Sequence, residues 1–145
     1  MRAGDHHFPG GHNRALLAGS VSASVERIAP DRVRVTLHGR GVGHRLPTGD
    51  PFRRFVVELC DAPACDEPLA RPSFGRAFVK SGDSYALLSD RTVQPGASEQ
   101  VIDVRVGAAA RHWRLLYAYA AGSSEPDLDG DDARIELARG VLPPQ

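Results

Sequence analysis

Short runs in which apolar and polar residues alternate one for one, each closed by glycine or proline, leave this chain little choice but β-structure. Val33, Val35 and Leu37 alternate with Arg32, Arg34, Thr36 and His38, the period-two pattern of a strand with one face in a core. Val21, Ala23 and Val25 alternate with Ser22, Ser24 and Glu26 in the same way. Pro30-Asp31 lies between the two runs and predicts a hairpin turn. Further strands are expected over Phe55 to Leu59, Val101 to Val106 and His112 to Ala120, with Ile135 and Leu137 marking a last short one. Phe74 to Val79 reads as a weak edge strand and Ser84 to Leu88 as another weak segment, while only Asn13 to Ala18 suits a helical turn. Many short strands with Gly/Pro turns predict an all-β, antiparallel β-sandwich of the immunoglobulin-like kind, although a barrel has the same strand statistics. Val33, Val35, Val57, Trp113, Leu115 and Tyr117 are the expected core, with Trp113, Leu115, Tyr117 and Tyr119 on one face of their strand.

The 145 residues fit a single domain over 1–145, with a His/Gly-rich irregular N-terminal loop at 1–14 and a tail at 143–145. Hydrophobic residues make up 41% and charged residues 25%, the balance of an ordinary globular chain. Acidic and basic residues cancel at 18 each, so no global field draws in nucleic acid or an anionic membrane surface. Lys80 is the only lysine among the cations, a bias that a GC-rich genome explains as well as anion recognition does. No apolar run is long enough to span a bilayer, and Met1 is not followed by the apolar core of a signal peptide.

Residue types that carry chemistry gather in a few loops. Gly41 to Arg54 is a stiff polar segment in which Pro47 and Pro51 fix their own φ, and Gly43 and Gly49 allow close backbone approach. His44 offers an imidazole there, Thr48 a hydroxyl and Asp50 a carboxylate, so the loop either positions a ligand or uses His44 as a brace. His6, His7 and His12 stand on the N-terminal loop, which a hairpin would bring toward the same end of the sandwich. Clustered imidazoles on stiff loops are ligands for copper, zinc or haem iron. Cys60 and Cys65 enclose Asp-Ala-Pro-Ala, a spacing that suits a disulfide-closed turn, two free thiols or half of a metal site. A bridge would mean a periplasmic or extracellular protein. Asp127, Asp129 and Asp131 alternate before and after Gly130 like part of a calcium loop, but Glu136 stands at the wrong spacing for an EF-hand. Cys-x-x-Cys-His, P-loop, Gly-x-Ser-x-Gly and His-Glu-x-x-His motifs are absent from the sequence. A non-enzymatic protein is therefore expected.

The runs His7-Phe8-Pro9-Gly10-Gly11-His12, Gly41-Val42-Gly43-His44-Arg45-Leu46-Pro47-Thr48-Gly49 and Asp90-Arg91-Thr92-Val93-Gln94-Pro95-Gly96, in that order, resemble the β-sandwich domain that follows the haem-binding region in many multihaem c-type cytochromes. The resemblance spans most of the chain. It implies an electron-transfer accessory domain in which His7, His12 or His44 supplies an axial ligand to haem c carried by a partner or by a segment missing from this chain. The implied partner is a multihaem cytochrome or another redox protein. The His44 loop is also similar to one in secreted copper-binding surface proteins, which implies copper as the alternative ligand.

Overall fold

A computed structural model describes residues 18–39, 54–92, 99–118 and 134–144. The alternating runs become β1 (Val21–Ala29), β2 (Arg32–Gly39), β3 (Arg54–Cys60), β4 (Ser73–Ser81), β5 (Ser84–Asp90), β6 (Glu99–Arg105), β7 (His112–Ala118) and β8 (Arg134–Val141). They pair antiparallel throughout, in a three-stranded sheet of order β1-β2-β6 and a five-stranded sheet of order β5-β4-β3-β7-β8. This strand order is the immunoglobulin-like one, the larger sheet carrying two strands beyond β3 as variable-type domains do. The expected β1–β2 hairpin turns at Pro30-Asp31, with a register shift between Arg27 and Ala29.

The expectation of an edge strand is corrected. The segment around Phe74 to Val79 is no edge: β4 lies between β3 and β5, and β5 forms the border of the sheet. Its hairpin is built by Gly82 at φ +62°, inside a two-residue link between the paired Ser81 and Ser84. Glycine reaches that left-handed conformation without a Cβ clash, which makes Gly82-Asp83 a natural hairpin turn.

The inner faces meet in one core. Val33, Val35 and Leu37 of β2 pack toward Phe55, Val57 and Leu59 of β3, with Phe74, Leu115, Tyr117 and Leu137 completing it. Phe55 and Tyr117 are cross-strand partners with ring centroids 5.7 Å apart and a 55° tilt, a favourable aromatic geometry. Trp113 departs from the predicted core. It is only partly buried, and it lies so close over Gly140 that a Cβ added there would stand 2.6 Å from the indole.

β3 is buried on both faces. Val56 on its outer side forms a second apolar cluster with Leu116 and Ala118. Loop 61–72 returns along the β3 end, where Leu59 donates to Ala70 O at 2.9 Å and Leu69 donates to Leu59 O at 2.7 Å.

The two sheets are tied at one end by the short β6–β7 connection. Val106 N donates to Asp31 O at 3.0 Å, Arg111 N to Cys60 O at 2.9 Å and Leu142 N to Arg111 O at 2.7 Å. At the opposite end Val21 pairs with Gly39, His38 with Glu99, and Arg54 with Ala118, which in turn faces Arg134. That second end is thus formed by the starts of β1, β3, β6 and β8 and the ends of β2 and β7, while residues 1–17, 40–53, 93–98 and 119–133 lie outside the described residues.

Candidate functional site

Glu58 is the middle of Arg-Phe-Val-Val-Glu-Leu-Cys, and strand alternation turns it to the outer face of the larger sheet with Val56 and Cys60. Its side chain is fully buried, although a lone carboxylate in a protein interior carries a large desolvation penalty. Arginines compensate it. Arg114, directly opposite on β7, donates from Nε to Glu58 Oε2 at 2.6 Å. Arg71 Nε stands 3.4 Å and Arg134 Nη1 3.7 Å from Oε1, which makes no hydrogen bond. Arg114 also reaches back to the loop, donating from Nη2 to Cys65 O at 3.2 Å. On the flank, Arg139 holds Glu136 through two bonds of 2.6 and 2.8 Å.

Cys60 and Cys65 form the disulfide, with Cα atoms 5.3 Å apart and both residues buried. Cys65 Sγ touches Glu58 Oε2 at 3.5 Å. Because that sulfur is bonded to Cys60, it has no proton to give, and the contact is one of packing. Glu58, Cys60 and Cys65 bring three potential ligand atoms within 4.8 Å of one another. With the bridge closed the sulfurs are not available to a metal, so the oxidised cluster is a structural one.

A second polar group spans the smaller sheet. Ser24 Oγ lies 2.8 Å from His38 Nε2, and His38 Nδ1 lies 3.1 Å from Glu99 Oε1. With Nδ1–H directed at Glu99, Nε2 accepts the Ser24 hydroxyl proton, the connectivity of a hydroxyl–imidazole–carboxylate relay. Ser24 is exposed on an open sheet face, however, where nothing described encloses an acyl group or excludes water. The relay therefore works as a cross-strand clamp. Beside it Arg34 holds Asp103 bidentately at 2.8 and 3.0 Å, and that hydrogen bonding lowers the Asp103 carboxyl below its ordinary 3.8.

His6, His7, His12, His44, Gly43, Pro47, Thr48, Gly49, Asp50, Asp127, Asp129 and Asp131 lie outside the described residues. His112 is a strand-end residue as expected, the first of β7, directly opposite Cys60. A cavity of about 320 Å³ opens beside it, bordered by Pro63 of the disulfide loop and by Trp113. Among the described residues no helix is long and apolar enough to cross a membrane. Neither protein-family models, nor curated proteins, nor solved structures match this chain.

Proposed function

We propose that the chain is a non-enzymatic electron-transfer accessory domain of the periplasm or cell exterior, similar to the β-sandwich part of multihaem cytochromes. His6, His7, His12 and His44 supply imidazole ligands to haem c or a metal borne by a redox partner. One observation supports the reading: the described residues that flank the histidine-bearing stretches in sequence, the paired Val21 and Gly39 and the first residue of β3, Arg54, stand at one end of the sandwich. A two-sheet scaffold with its loops gathered at one end is how sandwich domains present binding residues. The buried Cys60–Cys65 bridge is compatible with an oxidising compartment.

A haem c undecapeptide with an open axial position is the probe. Wild-type protein should shift its Soret band to the low-spin form, and His44→Ala should reduce that shift by at least tenfold in affinity with the circular dichroism of the strands unchanged. A wild-type protein that leaves the haem high-spin at millimolar concentration would overturn the proposal.

A further inference from the structure

We propose that β6 is the seam of a symmetric dimer, in which two copies of this chain pair their β6 strands antiparallel across a twofold axis and join their smaller sheets into one. The inference stands on described residues and is independent of the loop histidines. A sheet edge presents a row of N–H and C=O groups that a second strand can satisfy, and proteins that stay monomeric blunt such edges. Three of the four edge strands carry a β-bulge, whose extra residue is Ile28 in β1, Leu88 in β5 and Leu137 in β8. β6 is the fourth, and its ladder with β2 runs from Glu99 to Arg105 without a shift. Among the described residues no strand lies on its other side.

The hydrogen-bonding phase of β6 follows from the end of that ladder. Val106 N donates to Asp31 O at 3.0 Å, one step beyond the pair of Arg32 and Arg105. Alternation then turns the backbone groups of Val104, Ile102 and Gln100 toward β2, and those of Glu99, Val101, Asp103 and Arg105 toward the outer edge. The same four residues have exposed side chains, and Val101 is 51% exposed although apolar.

Charge selects the register. Outward backbone groups have to meet outward backbone groups, so the four edge-directed residues pair among themselves. With the axis through Ile102, all seven residues of β6 are paired, Glu99 standing opposite Arg105 of the second copy and Val101 opposite Asp103. A slide of two residues one way sets Glu99 against Asp103, and a slide the other way sets Asp103 against its own counterpart. Both place like charges directly across, which is destabilising. Glu99 and Arg105 are within reach of a second copy, at 62% and 82% side-chain exposure. Each uses only part of its polar head at home, Glu99 through Oε1 beside His38 and Arg105 through Nε to Asp31. Asp103 already holds Arg34 on both oxygens, so its charge is offset within its own copy. On the inner face Ile102, only partly buried against the core, meets its counterpart as a non-hydrogen-bonded pair with Cα atoms about 4.5 Å apart.

Sedimentation velocity on the full chain, from micromolar to millimolar concentration, tests the proposal. The 15.6 kDa chain should shift to twice its mass as concentration rises. Val101→Pro removes one outward amide and none from the ladder with β2, so it should weaken association about tenfold or more with the strand circular dichroism unchanged. Glu99→Arg and Arg105→Glu should each be monomeric alone, since each sets like charges across the seam. Their equimolar mixture should associate, because opposite charges then face each other at both ends. If Val101→Pro fails to fold, the two charge variants carry the test. A chain that is monomeric up to millimolar concentration, as it would be with another segment or another partner on this edge, would overturn the proposal. So would a dimer indifferent to Val101→Pro, or a mixture of the charge variants that stays monomeric.

Discussion

Arg114→Met asks how much the buried carboxylate depends on its closest partner. The variant keeps an unbranched apolar stem but removes the guanidinium, and with it the 2.6 Å bond to Glu58 Oε2 and the 3.2 Å bond to Cys65 O. A hydrogen bond to a charged group is worth about 1.5–3 kcal/mol, and stranding one member of a buried ion pair costs about 3–5 kcal/mol. Arg71 and Arg134 remain 3.4 and 3.7 Å from Oε1, so the carboxylate is not wholly abandoned. The expected loss is then at the lower end, about 3 kcal/mol. At roughly 4 °C per kcal/mol for a domain of this size, the melting temperature should drop by about 12 °C. Urea denaturation without reductant measures the loss, and the double variant Glu58→Met/Arg114→Met supplies the control. Removing both charges should recover most of the stability, because a buried pair seldom outperforms apolar residues of similar volume. A loss below about 1 kcal/mol for Arg114→Met would show that Glu58 does not depend on this arginine and would refute the reasoning.

Two further outcomes are expected. Gly140→Ala forces a methyl to within 2.6 Å of the Trp113 ring; it should cost about 1–3 kcal/mol by overpacking and shift the fluorescence of the sole tryptophan, and unchanged emission and stability would contradict that packing. Asp103 is held below 3.8, first by its hydrogen bonds from Arg34. A carboxyl whose folded value is depressed stabilises the fold above its unfolded value and stops doing so as pH falls through the folded one. In carbon-detected titrations Asp103 should therefore ionise below the ordinary aspartate, and Arg34→Gln should return it to normal; an ordinary midpoint in the wild type would contradict this.

The strands of the smaller sheet and the β1–β2 hairpin were legible because one face of each run meets the core and the other meets water, which writes a period of two into the sequence. β3 follows a different rule. Its outer face is covered as well, so Phe55 to Leu59 is an apolar run in which the informative residue is the exception, Glu58. A carboxylate inside such a run points to a cation on a neighbouring strand, and Arg114 within Trp-Arg-Leu-Leu-Tyr is its match, but pairing across 56 positions is a property of the fold. Trp113 was misjudged for a related reason: alternation fixes its face, whereas its burial depends on its position near the strand end over Gly140. The hairpin at Gly82-Asp83 had a local signal in the Gly-Asp dipeptide, overshadowed by the weak patterning of its flanks. The spacing of Cys60 and Cys65 around Pro63 suited a disulfide, free thiols or half of a metal site alike, and the structure closes it as the disulfide, with Cα atoms 5.3 Å apart.

The claim that the histidine-bearing end is the working end is tested most directly by pulsed electron paramagnetic resonance. Protein labelled with ¹⁵N only at histidine would be mixed with the ferric haem c undecapeptide. A low-spin signal carrying ¹⁵N coupling, lost in His44→Ala and kept in His112→Ala, is the predicted result. A low-spin signal without ¹⁵N coupling, or one that survives His44→Ala unchanged, would contradict the account.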